Sequence, residues 1–245
     1  MGKSSISYLD WMVSTQSFHC RKVSPGCQNC YAERMVVGFG GTFEGMPAPE
    51  MAPTIARRFE EIPAGNVCGL DFVSDLGLAD IKHWHYVFAK VGQRPDCQFV
   101  FTTKRIERFQ AHDKELRWPA NLWVGVSAEN QDYAYRWDIL KSLSCNHRWL
   151  SVEPMLGIVE VDLTLCEWLV TGGESGKNRR HFDPQWAMNL GEQALEIGTT
   201  WYHKQSSCEK PDTDRMLFGR EYNGKPAAFQ RAAVAAKPAE QMRLF

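Results

Sequence analysis

The chain reads as an α/β protein, a parallel sheet with helices packed outside it. Three observations predict this class. Short apolar runs, β-branched or aromatic, recur at 67–73, 97–102, 122–127, 148–152, 167–171 and 199–203. Amphipathic stretches separate several of them, as the crossovers between parallel strands require. Each apolar run also stops at polar or ionisable residues: Ser74 and Asp75, Lys104, Ser127 and Glu129, Glu153, Gly172–Glu174, and Lys204 with Gln205. Parallel strands bring such ends to one mouth, where ligand groups collect.

The helical stretches follow from spacing and end signals. Ile81, Trp84, Phe88 and Val91 recur at three and four residues, and Gly92 and Pro95 close the segment. Ala134, Trp137 and Leu140 form one stripe within 132–143. Asp183 as N-cap and Pro184 at the first helical position open a third helix, with Trp186, Leu190 and Ala194 on one face. The segment 38–63, rich in Gly, Pro and Met, is expected to be a long loop or insertion over the site. Residues 204–245 form a C-terminal extension whose Ala-rich tail after Pro226 is a helix or a frayed end. No linker, repeat or low-complexity stretch divides the chain, so residues 1–245 are expected to form one domain.

Composition excludes several classes. With 245 residues, 44% hydrophobic and 23% charged, the chain can bury a sizeable core and is not disordered, collagen-like or coiled-coil. No run approaches the roughly 18–20 apolar residues of a membrane span. The N-terminal segment lacks the apolar core of a secretory signal, which predicts a cytoplasmic location and no membrane partner. A net charge of −1 leaves no global field for nucleic acid. Local basic clusters do exist: Lys177, Arg179 and Arg180, and residues 204–245, with eight Lys/Arg against five Asp/Glu. His83 and His85, two apart on a helix, face different ways and do not form a metal pair.

Cysteine usage is the most informative feature. Of eight cysteines, Cys68, Cys97, Cys145, Cys166 and Cys208 are scattered, and Cys68 and Cys97 lie in apolar runs where a thiol acts as a small hydrophobe. The other three, Cys20, Cys27 and Cys30, make a C-x6-C-x2-C loop turned by Pro25 and Gly26. Three readings compete. Structural zinc wants four ligands in paired knuckles, and no second knuckle exists. A thioredoxin-like pair would use Cys27 and Cys30 and leave Cys20 unexplained. An iron–sulfur cluster takes thiolates, and three of them leave one iron open to bind and reduce a substrate.

Eight segments along the chain, HCRKVSPGCQNCYAE, FVSDL, FTTKR, LWVGVSAEN, SVEPMLG, EWLVTGGESG, YHKQ and FGREYNGKP, resemble the radical S-adenosylmethionine (SAM) superfamily. More closely, they are similar to the phage-type three-Cys-motif proteins of phage and bacterial genomes. The best-known superfamily spacing is C-x3-C-x2-C, and this chain has six residues in the first gap. Asn29 stands where an aromatic residue often precedes the last cysteine, and Tyr31 follows it instead, as the aromatic candidate for cofactor contact.

The resemblance implies a partial (βα)6-type barrel. Cys20, Cys27 and Cys30 would hold a 4Fe–4S cluster, and its open iron would bind the amino and carboxylate groups of SAM. One electron, from a donor such as flavodoxin or ferredoxin, would cleave the sulfonium C–S bond to give a 5′-deoxyadenosyl radical that abstracts a substrate hydrogen. Ser127 and Glu129 match positions that bind ribose and the methionine moiety. Ser74 and Asp75 end the second strand, where a Gly-Gly-Glu often contacts the methionine amino group. The Gly172-Gly173-Glu174 of this chain lies after the sixth strand, where its glycines allow close backbone approach to a ligand. Glu153, before Pro154, is a candidate for cofactor or substrate contact. Lys104 and Lys204 would pair with a carboxylate or phosphate, or form salt bridges across the mouth. Phage association points to hypermodification of a DNA base (thymine) or a modified nucleotide, by isomerisation or C–C bond formation, with Lys177, Arg179 and Arg180 as a basic rim. The alternative is a non-catalytic zinc or iron–sulfur protein that binds nucleic acid or a protein partner.

Overall fold

A computed structural model describes residues 2–230. Strand β1 (Gly2–Lys3) pairs antiparallel with β2 (Trp11–Val13). The cysteine loop follows, then α1 (Tyr31–Gly38) and α2 (Ala52–Glu60). From there strand and helix alternate: β3 (Val67–Leu70), α3 (Ile81–Gly92), β4 (Gln98–Thr103), α4 (Ile106–His112), β5 (Leu122–Ser127), α5 (Tyr135–Ser142) and β6 (His147–Val152). A helix-free connection leads to β7 (Trp168–Gly172), and α6 (Pro184–Glu196) leads to β8 (Thr200–Gln205). Two short strands, β9 (Met216–Leu217) and β10 (Arg220–Glu221), form a separate hairpin. The eight main strands lie in sequence order, and β2 to β8 are all parallel. Among the described residues β8 is not hydrogen-bonded to β1, so the sheet is not closed.

The strand face decides which core a residue joins. Leu70, Phe101, Val124, Leu150 and Leu169 pack against the helices in the larger core. Their neighbours Val100, Trp123, Trp149, Trp168 and Tyr202 form a second core on the opposite face. Tyr8, from the turn before β2, sits edge-on to Trp168 at 5.3 Å and to Tyr202 at 5.5 Å, so the two ends of the sheet approach each other across this inner face. Gly125 makes room for the layer, since a Cβ there would collide with the Trp149 indole.

The α/β expectation holds, with differences at the edges. Strand β3 stops at Leu70, because Asp71 turns the chain at φ 54°. The segment 38–63 is not all loop: α2 lies within it and buries Ile55 and Phe59, one helical turn apart. Lys204 belongs to β8, not to an extension, and residues 231–245 of the expected tail lie outside the described residues. Asp183 caps α6 through Gln185 N, as its sequence predicts. Among the described residues no helix is long and apolar enough to cross a membrane.

Candidate functional site

The parallel strands deliver their C-terminal ends to one cavity of about 1100 Å³, solvent at its mouth included. Its wall carries Cys20, Cys27, Cys30 and Tyr31 from the cysteine loop and the start of α1. Ser74, Asp75, Lys104 and Ser127 come from the ends of β3, β4 and β5. Glu153, Gly173, Glu174 and Lys204 come from β6, β7 and β8. Lys177, Arg179 and Arg180 lie apart, in a shallow recess with His181, Ser206 and Ser207. One wall segment thus faces the cavity at Glu174 and Ser175 and the recess from Lys177 on.

Two carboxylates hold the cysteine loop. Glu129 is fully buried and accepts from Ser24 Oγ, Lys104 Nζ and, at 3.1 Å, Arg136 Nη1. Gly26 packs against it so closely that a Cβ would meet the carboxylate. Arg136 is itself buried and also donates to Ser127 O at 2.8 Å. On the other flank, Glu174 takes Asn29 Nδ2 at 3.0 Å and the Arg180 guanidinium, which also reaches Pro25 O at 2.9 Å. Burial works against the Glu174 charge, but Arg180 and Asn29 outweigh it and hold the carboxyl below the usual range. Glu129 therefore acts behind the wall, and its oxygens are already occupied. Asn29, where an aromatic residue is often found, is one of the loop's fasteners.

Asp75 is similarly occupied. It accepts from Gly77 N at 2.8 Å, Thr103 Oγ1 at 2.6 Å and Arg105 Nη1 at 2.6 Å, and Arg105 in turn holds Arg21 O beside Cys20. Lys104 and Lys204 form salt bridges, with Glu129 and Glu153 respectively. Gly173 is explained by crowding, because a Cβ would strike the backbone at Ser206 and Ser207. Gly172 backs onto Glu153. Ser127 Oγ meets Thr102 Oγ1 at 3.1 Å. Ser74 differs from all of these. Its Oγ is buried and has no hydrogen-bond partner among the described residues.

The three thiols are half-buried. Burial pushes Cys20 up to about 12, with Asp75 adding to the effect and Arg105 opposing it; burial also raises Cys30. Thiols so placed become ligands when a metal displaces their protons. Among the described residues no three His, Cys, Asp or Glu side chains converge as the ligands of a single ion do. A four-iron cluster makes a different demand, since each cysteine binds its own iron around a larger body. Three soft donors bordering one cavity, with an unpartnered Ser74 hydroxyl in its wall, fit that group in kind.

Sequence reasoning missed Tyr8, Ser24, Arg105 and Arg136. Ser24 and Arg105 lie inside the quoted segments HCRKVSPGCQNCYAE and FTTKR, Arg136 left a charge in the stripe-bearing segment 132–143, and nothing local marks Tyr8. His83 and His85 do face apart: His83 is buried against Thr15 Oγ1 at 2.9 Å, while His85 is exposed.

Fold and site define a mixed α/β protein with a thiol-bordered cavity at the C-terminal edge of a parallel sheet. A family model described as a protein of unknown function, DUF5131, matches residues 3–229, and the chain belongs to that family. No curated protein and no solved structure matches the chain.

Proposed function

We propose that this chain is a radical SAM enzyme and that its curved sheet is a partial (βα)6-type barrel. One observation carries the reading: the C-x6-C-x2-C thiols share a single cavity with the ends of the parallel strands. Cys20, Cys27 and Cys30 would hold a 4Fe–4S cluster. When bound, the cluster and SAM supply one-electron reductive chemistry that the side chains cannot. The protein's own part is positioning. Glu129 and Glu174 fix the loop that bears the thiols, and the Ser74 and Ser127 hydroxyls would orient the cofactor's polar groups. Tyr31, Phe43 and Phe72 line the same cavity and would give the reacting group an apolar surrounding.

The substrate we assign is a base of DNA or a modified nucleotide, changed by isomerisation or C–C bond formation, with flavodoxin or ferredoxin as the class of reductant and the cytoplasm as the compartment. What supports a nucleic acid is the basic recess beside the cavity. Arg180 is engaged by Glu174, so Lys177 and Arg179 are the cations left to meet phosphate. Each phosphate contact adds about −0.7 to the log–log salt slope on single strands, so replacing both with Ala should flatten the slope by about 1.4.

Anaerobic reconstitution tests the chemistry. About four irons and matching acid-labile sulfide per chain are expected, with reductive SAM cleavage. Cys20→Ala, Cys27→Ala or Cys30→Ala should each remove both, while Cys97→Ala retains them. One zinc per chain without sulfide would overturn the reading and favour the non-catalytic alternative.

A further inference from the structure

Two charges sit together, largely withdrawn from water, where β6 and β8 end. Lys204 and Glu153 have side chains 17% and 15% exposed, with Nζ 3.2 Å from Oε1. Such a pair is costly unless its remaining donors and lone pairs are met. Glu153 Oε2 accepts from Tyr8 OH and from Ser151 Oγ, each at 3.3 Å. A carboxylate has about four acceptor sites, and three are used here. An ammonium has three donors, and among the described residues Glu153 is the one carboxylate that Lys204 meets. Burial works against the ammonium, but Glu153 and Asp212 outweigh it and keep Lys204 protonated. The pair therefore offers the cavity spare N–H donors beside a spare acceptor. Tyr8 touches both members of the pair, its ring 5.9 Å from Lys204 Nζ, and Tyr31, Phe43 and Phe72 line the same cavity. Few polar groups in a mostly apolar wall are what fix a ligand's orientation.

We propose that Lys204 and Glu153 form the recognition point for the reacting molecule, and that they read the imide or lactam edge of a planar heterocycle. The ammonium donates to a ring carbonyl oxygen, and the carboxylate accepts the neighbouring ring N–H. Tyr8 and Ser151 are positioning residues that hold the carboxylate. The assignment rests on the proposed function only in taking this cavity as the site, and it requires no bound cluster.

The test uses the metal-free full chain and equilibrium binding, followed by calorimetry. The probes are uridine, N3-methyluridine, which lacks the ring N–H, and N-acetylglycinamide, an open-chain amide. Uridine should bind at least tenfold more tightly than either of the other two. Lys204→Met should lower uridine affinity at least tenfold while circular dichroism and thiol count stay those of the parent. Glu153→Met, which removes the acceptor, should narrow the gap between uridine and N3-methyluridine to within about twofold, which a merely structural role for Glu153 would not do. Equal affinity of the parent chain for uridine and N3-methyluridine, or no uridine binding, overturns the proposal whatever the variants do. Stronger binding of the open-chain amide overturns the planar class. Iron and SAM cleavage are read in a separate experiment, so either reading can fail while the other stands.

Discussion

Trp149 and Ser151 of β6 and Glu153, one residue past its end, follow one another at every second position, yet they belong to two different regions. Trp149 is fully buried, lies edge-on to Tyr8 and tilted against Trp168, and donates Nε1 to Phe101 O at 3.0 Å. Two and four residues on, Ser151 and Glu153 line the cavity. Other strands show the same gradient, from Trp123 to Ser127 on β5 and from Tyr202 to Lys204 on β8. At the aromatic end, burial is stabilising in itself. At the cavity end the groups cost free energy unless paired, and nearly all are paired through residues far away in sequence. One strand can thus carry both a floor that stabilises and a rim that can bind.

The largest effect should come from breaking the floor. Trp149→Ala should cost about 3–5 kcal/mol of stability, read by urea unfolding, with Cys20, Cys27 and Cys30 alkylated at the parental rate under native conditions. If that variant exposes the thiols, the two regions are not independent.

Breaking the rim should also cost stability, but with a different signature. Glu129→Gln keeps the shape but leaves Arg136 and Lys104 buried without their counter-charge, at about 3–5 kcal/mol. Its distinguishing mark is a several-fold rise in thiol alkylation, because Ser24 and Gly26 lose the group that seats the loop. Unchanged alkylation would mean that Glu129 does not hold the loop.

A third test uses pH. Asp71 ends β3 beneath the start of the cysteine-bearing segment, where it accepts from Thr15 N at 2.7 Å. Burial raises its carboxyl to about 7, against donors from Thr15 that pull it down. The unfolded chain ionises this group near pH 4, and the native chain only near pH 7. Its contribution is therefore complete below about pH 4 and is lost as pH rises toward 7. Relative to Asp71→Asn, the parent should lose about 2–4 kcal/mol over that interval, measured by unfolding at each pH. A difference that does not vary with pH would place the proton elsewhere.

The smallest effect should be Ser127→Ala, under about 1 kcal/mol, since the variant loses one hydroxyl contact with Thr102. A larger loss would make Ser127 part of the scaffold and not of the rim.

Much of this arrangement is visible in the amino-acid order. Unbroken apolar runs mark β5 and β7 as parallel strands buried on both faces, and caps such as Asp183 announce their helices. Strand ends are equally visible, so Lys104, Ser127, Glu153 and Lys204 reach the cavity as their positions predict. The helix at Ala52–Glu60 left its pattern in Ile55 and Phe59, but the surrounding Gly, Pro and Met obscured it.

What the sequence by itself determined is the order of strands and helices, and with it the edge of the sheet where polar groups gather, because backbone periodicity and parallel pairing are local or nearest-neighbour properties. Only the tertiary structure decided which of those groups are already occupied. Ser24 meets Glu129 across 105 residues, Asn29 meets Glu174 across 145, and Tyr8 meets Glu153 across 145. No spacing rule links such pairs. Burial selects them, because each charge taken from water must find its counter-charge or donors wherever the fold brings them.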